Sequence, residues 1–143
     1  MTRGLTNNNP GNVRISSTPW VGKVTPSRDP DFETFDTPEH GLRVIARILL
    51  TYFQEYKLDT IEGIIGKWAP DSENDTDAYI DDVSDRTGLD SDQALTPDEA
   101  TLSALVNAIV WHENGSNPYA AQLIGTAVAS VFPDEEPATH NID

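Results

Sequence analysis

Thr37-Pro38-Glu39-His40-Gly41-Leu42-Arg43-Val44-Ile45-Ala46-Arg47-Ile48-Leu49-Leu50-Thr51-Tyr52-Phe53-Gln54-Glu55-Tyr56-Lys57 is the stretch that decides the fold class. Leu42, Ile45, Ile48, Leu49, Tyr52, Phe53 and Tyr56 recur at intervals of three and four, which gathers them on one face of an α-helix. Thr37 can cap the first turn with its side-chain oxygen, and Pro38 lacks the N–H that this turn would leave unpaired. The spacing predicts a buried amphipathic helix over residues 38–57.

Downstream the same signals repeat. Asp59 or Thr60 opens a helix over residues 61–68, stopped by Pro70. The loop Ser72-Glu73-Asn74-Asp75-Thr76 can cap a short helix over residues 77–87, ended by Gly88. Thr96-Pro97-Asp98-Glu99 reads as cap, proline and acidic first turn, and Leu102, Leu105, Val106, Ile109 and Val110 share one face of the helix that follows. Gly115 and Pro118 end it, and a last helix is expected over residues 120–131. Upstream, Asn7-Asn8-Asn9-Pro10-Gly11-Asn12 is a dense turn signal, because Pro presets φ while Gly and Asn tolerate the left-handed region. Val13-Arg14-Ile15 and Trp20-Val21-Gly22-Lys23-Val24 read as short strands. The expectation is a mainly α fold: a single helical domain over residues 1–132, a small irregular or β element at its N-terminus, and an acidic flexible tail over residues 133–143.

The 143 residues carry 24 acidic and 9 basic side chains, a formal charge of −15. Such a field repels polyanions, so nucleic acid is excluded as a partner held by phosphate contacts, and docking on anionic lipid is disfavoured. No stretch has membrane-spanning length, and the first residues lack the apolar core of a signal peptide. Cysteine is absent, which excludes disulfides, thiolate metal sites and cysteine nucleophiles. The charge is uneven. Residues 1–28 hold Arg3, Arg14, Lys23 and Arg28 and no acid, whereas residues 71–99 hold eleven acids and only Arg86 as a base. The acidic segment reads as a solvated surface, and the basic stretch as the side that faces an acid-bearing ligand.

Continuing the face of Ile109 and Val110 by one step reaches Glu113, just before Gly115. A carboxyl group there sits at the core boundary facing a cleft, where desolvation raises its pKa into the range of a general acid, or else turns to solvent at a fraying helix end. His112 points about 100° away and reads as structural. Glu73 or Asp75 can supply a second carboxylate to activate water, or can cap the following helix. Asp71, Glu73, Asp75 and Asp77 lack the glycine and terminal glutamate of a calcium loop, and His40, His112 and His140 form no metal-ligand spacing, so no metal and no cofactor is expected. Trp20, Trp68, Trp111 and Tyr119 can line a sugar groove or fill the core.

The segment Trp111-His112-Glu113-Asn114-Gly115-Ser116-Asn117-Pro118-Tyr119 resembles the catalytic-glutamate segment of lysozyme-superfamily enzymes, in particular flagellar-type glucosaminidases and soluble lytic transglycosylases. Three more segments are similar to the glucosaminidase pattern: Asn7-Asn8-Asn9-Pro10-Gly11-Asn12-Val13-Arg14, Phe32-Glu33-Thr34-Phe35-Asp36-Thr37-Pro38-Glu39-His40-Gly41, and Trp68 through Tyr79. In those enzymes the glutamate helix comes first, whereas here it comes last, so the resemblance implies a circular permutation. Residues 3–125 also resemble small virion-associated proteins of tailed phages that begin Arg-Gly-x-x-Asn-Asn-Asn-Pro-Gly-Asn.

The resemblance implies an α+β lysozyme-like fold and a peptidoglycan-degrading glycosidase carried by a phage virion. Its implied site has Glu113 as general acid, Tyr79 beside it, Glu73 as a further carboxylate, and Asn9, Asn12, Arg14 and Tyr119 around the substrate. Expected partners are peptidoglycan glycan strands and other virion or tail proteins, with action at the bacterial cell wall and delivery by the virion in place of a signal peptide. The alternatives are a non-catalytic virion or tail structural protein with a lysozyme-like fold, and a saccharide-binding module or secreted antibacterial effector.

Overall fold

The amphipathic stretch forms the central helix. The computed structural model describes residues 1–132, and the tail expected over residues 133–143 lies outside the described residues. In it α2 runs Pro38–Glu55, capped by the Thr37 hydroxyl, which accepts from the His40 N–H. Leu42, Ile45, Leu49 and Phe53 are buried along its inner face, and each such side chain contributes about 1.5–3 kcal/mol by leaving water. Two further helices pack on α2: α5, Glu99–Asn114, and α6, Ala121–Ala129. The shorter α3, Ile61–Trp68, and α4, Thr76–Thr87, complete the bundle, with α4 against α3 and α5. Ile64, Ile65, Val83, Leu102, Leu105, Ile109, Ile124 and Val128 join the α2 residues in one hydrophobic core. The fold is mainly α with a small β element.

The boundaries differ from the sequence reading in instructive places. Asp98 rather than Thr96 caps α5, because its carboxylate accepts the Thr101 N–H at 2.8 Å. A four-residue helix, α1 at Arg3–Thr6, precedes the Asn-rich turn and is capped by Thr2, and four residues are too few to carry a periodicity. Of the two expected strands, only β1 at Lys23–Val24 persists, pairing antiparallel with β2 at Thr34–Phe35. The residues 13–15 contribute an isolated bridge between Arg14 and Phe32.

The N-terminal segment holds its shape by side-chain hydrogen bonds. Asn9 is fully buried. Its amide nitrogen donates to the carbonyls of Val13 and Glu33 at 3.0 and 2.9 Å, and its oxygen accepts the Val13 N–H. Asn8 and Asn12 adopt φ of 53° and 51°, the left-handed region that asparagine tolerates. The turn then seats on the first turn of α2 so closely that a Cβ at Gly41 would fall on the Asn8 carbonyl oxygen.

That close approach separates two glycines by experiment. Gly41→Ala must push the turn off α2 and is expected to lower the free energy of unfolding by about 1–3 kcal/mol or more. Gly125→Ala, in α6 with open space around the added methyl, is expected to raise it by about 0.5–1 kcal/mol through helix propensity. Urea-unfolding midpoints of the two variants check both signs.

Candidate functional site

The C-terminal end of α5 is where the Asn-rich turn meets the bundle. Asn114 is buried there and makes three side-chain bonds. Its amide nitrogen donates to the Pro10 carbonyl at 2.9 Å and to the Val110 carbonyl at 3.0 Å, and its oxygen accepts the Thr2 hydroxyl at 2.6 Å. Gly115, with φ of 70°, closes the helix directly after it. This clamp brings the turn beside the preceding residue, Glu113.

Glu113 is half-buried, and both of its oxygens accept hydrogen bonds. Asn12 donates to Oε1 at 2.9 Å and the Tyr79 hydroxyl donates to Oε2 at 2.8 Å. The direction of the second bond is fixed by Trp68. Its indole Nε1 can only donate, and it does so to the Tyr79 oxygen at 3.1 Å, so the phenol proton is left for Glu113. Four segments distant in sequence thus fix one carboxyl group: the Asn-rich turn, the end of α3, the first turns of α4 and the last turn of α5.

Tyr79 is itself held from behind. Its ring stacks on His112 at 3.7 Å, and His112 Nδ1 lies 2.8 Å from Asp82 Oδ2. Asp82 loses hydration there, but hydrogen bonds from His112 and Arg86 keep its carboxyl below the ordinary value. Arg86 in turn covers the Trp111 ring at 4.9 Å. Burial, followed by the charge of Glu113, pushes the Tyr79 phenol far above its ordinary value of 10.0. Tyr79 is therefore a neutral donor at every physiological pH.

Glu113 lines a groove of about 370 Å³ between the N-terminal segment and α2, α3 and the α3–α4 loop. Asn12, Arg14 and Phe32 line it from the N-terminal segment, Ile48, Tyr52 and Trp68 from α2 and α3, and Glu73 and Asn74 from the α3–α4 loop. Of the residues named from sequence, Glu113, Glu73, Asn12 and Arg14 line the groove, and Tyr79 reaches it through its hydroxyl on Glu113. Asn9 is spent on the backbone of Val13 and Glu33 and is not among the described groove residues. Tyr119 packs against the core beyond α5, where burial raises its phenol pKa, and is not among the described groove residues. The expected basic wall is reduced to one residue. Arg3 pairs with Asp29 and Asp31, and Lys23 with the buried Glu33, so the local acids consume these charges before the groove is reached. Between residues 71 and 99 every acid except Asp82 is exposed, a solvated surface.

Tyr52 and Ile48 carry no signal in the sequence beyond apolar spacing, Phe32 stands there only within the segment that leads into α2, and nothing local distinguishes Asn114 from the residues that follow Glu113. The group of Asp71, Glu73, Asp75 and Asp77 does not converge: Asp75 caps α4 and Glu73 pairs with Arg14. Among the described residues no cluster of three His, Asp or Glu is placed to hold a metal ion, and no helix is long and apolar enough to cross a membrane.

No family model matches the chain. It is 48% identical over 120 residues to Protein P5 of Pseudoalteromonas phage PM2, a match that spans 82% of this chain and 74% of that protein. The chain belongs to the family of this phage protein. The comparison identifies a phage protein family and not a glucosaminidase or lytic transglycosylase, and for this P5 relative the groove and its carboxyl group are what bear on chemistry.

The buried phenol gives the site a pH signature. The fold favours the neutral form of Tyr79, so its contribution to stability is complete below the unfolded pKa of about 10 and is lost as pH rises beyond it. Tyr52, pushed up to about 12 by burial, and Tyr119 act in the same sense. The urea midpoint is expected to fall between about pH 9 and 11.5, and to fall less steeply in Tyr79→Phe. An equal slope in both proteins would contradict the burial of the Tyr79 phenol beside Glu113.

Proposed function

We propose that the chain is a glycosidase of bacterial cell-wall glycan, a muramidase, glucosaminidase or lytic transglycosylase, carried in the phage particle with other virion proteins. The observation that carries this reading is Glu113, held in the groove between two neutral donors, Asn12 and Tyr79. The groove volume lies within the range of small-ligand sites, about 300–1,000 Å³. Trp68, Tyr52 and Phe32 supply aromatic faces of the kind that pack on sugar rings.

The chemistry follows from the donor set. Protonated Glu113 gives its proton to the glycosidic oxygen, the bond from that oxygen to the anomeric carbon breaks, and the leaving sugar departs with a hydroxyl group. As the proton leaves, Glu113 becomes a carboxylate. The bonds from Asn12 and Tyr79 then become charge-assisted, roughly twice as strong as neutral ones, so they favour the transition state over the ground state. The cationic sugar left behind is captured by water, giving hydrolysis, or by its own hydroxyl, giving an anhydro-sugar end, and the proton lost by the attacking oxygen returns to the Glu113 carboxylate. Glu73, across the groove, is the further carboxylate of this reading, although it is paired with Arg14 before a ligand binds. The resemblance of Trp111–Tyr119 to catalytic-glutamate segments supports the same assignment, and membership of a phage protein family supports carriage in the particle.

Purified protein is expected to clear isolated cell-wall sacculi, and Glu113→Gln to slow clearing by about 10²–10⁴-fold while keeping the native unfolding midpoint. Turbidity with mass analysis of the released ends measures both activity and product type. Equal clearing by both proteins would remove Glu113 from the reaction, and no clearing by the wild type would leave a non-catalytic particle protein as the function.

A further inference from the structure

Arg14 is the one basic side chain among the described residues that line the groove, and it stands in a protein of net charge −15. Its position is built rather than incidental. The backbone of Arg14 bridges to Phe32, the flanking N–H groups of Ile15 and Glu33 donate to the carbonyls of Asp31 and Val13, and the guanidinium lies over the Phe32 ring at 5.2 Å. The guanidinium also lines the groove, and its N–H fork matches a carboxylate.

Arg14 makes a single hydrogen bond, from Nη2 to Glu73 Oε1 at 2.9 Å, and the remaining N–H groups have no partner among the described residues. Glu73 comes from the α3–α4 loop, 59 positions away, so the pair spans the groove. Both side chains are more than half exposed, at 60% and 55%, and an exposed pair of this kind contributes little and opens readily.

We propose that Arg14 is a carboxylate-recognition site for an acid-bearing amino-sugar glycan, and that Glu73 occupies it as an internal competitor in the unbound protein. This rests on the glycan-binding reading of the groove and adds its substrate class: a strand whose sugars carry carboxylates, in preference to the same backbone without them. Replacing the Glu73 carboxylate by one on the ligand keeps Arg14 paired. A neutral glycan leaves the Arg14–Glu73 pair intact and gains nothing from it.

The test uses the full chain carrying Glu113→Gln, to prevent cleavage, and two matched probes. One is a peptide-free cell-wall tetrasaccharide with free lactyl carboxylates, and the other is chitotetraose, which lacks them. Calorimetric titration is expected to show the acidic probe binding about tenfold more tightly, with the difference narrowing at high salt. Adding Arg14→Ala should erase the difference, and adding Glu73→Gln should tighten the acidic probe several-fold more than it changes the affinity for chitotetraose. Equal affinities for the two probes in the Glu113→Gln protein, or a Glu73→Gln change shared by both, overturns the proposal while the glycan-binding reading stands. Binding of neither probe overturns both.

Discussion

The site depends on the clamp that Asn114 makes between the end of α5 and the Asn-rich turn. One buried amide bonds to the carbonyls of Pro10 and Val110 and to the Thr2 hydroxyl. It ties the turn to the end of a helix more than a hundred residues away, where Asn12 reaches Glu113. The clamp is tight on every side. A Cβ at Gly4 would approach the Asn114 oxygen to 2.7 Å, and one at Gly11 would meet Ile45 and Trp68. Small residues at these positions let the backbone come close enough for side-chain amides to do the joining. Buried amides of this kind are costly when unpaired and specific when paired, so they fix a register that apolar packing alone would not.

The groove therefore has two kinds of wall. The bundle side is apolar and aromatic and belongs to the same core as Leu42, Ile45 and Leu49. The N-terminal side has almost no regular structure and is held by asparagine side chains and by the short β1–β2 pair. A rigid scaffold under an irregular bank is a common way to present polar groups at a site. The charge distribution follows the same division. Acids of the residues 71–99 segment, Asp82 excepted, face solvent; of the four bases near the N-terminus, Arg3 and Lys23 are matched by Asp29, Asp31 and Glu33, and Arg14 alone lines the groove.

The helices were legible because their signals are local. Thr37, Thr60 and Asp75 cap α2, α3 and α4 as their positions before apolar runs suggest, and Gly88 and Gly115 end helices in the left-handed conformation. Glu113 was legible as the next step on an apolar face. The groove around it was legible only in part: the resemblance named Asn12, Arg14 and Glu73, whereas Phe32, Ile48 and Tyr52 join them only through long-range contacts. Nothing local marks Trp68 as the donor that orients Tyr79, or Asn114 as the anchor of the turn. Asn9 illustrates the opposite error of inference: an asparagine in a distinctive motif reads as a ligand contact, whereas its three hydrogen bonds all close on the backbone around it. The short β pair was hard to place for the same reason, since its register, Lys23 opposite Phe35 and Val24 opposite Thr34, is set by the turn and not by alternation over two residues.

The central claim is that the groove holding Glu113 is where a cell-wall glycan binds. The three indole N–H resonances of Trp20, Trp68 and Trp111 offer a direct readout, because of these only Trp68 lines the groove and bonds to Tyr79. In a nitrogen-labelled Glu113→Gln protein titrated with cell-wall tetrasaccharide, the account predicts that the Trp68 indole resonance shifts progressively while those of Trp20 and Trp111 stay in place. A Trp68 resonance unmoved at saturating glycan, or shifts confined to Trp20 or Trp111, would contradict it.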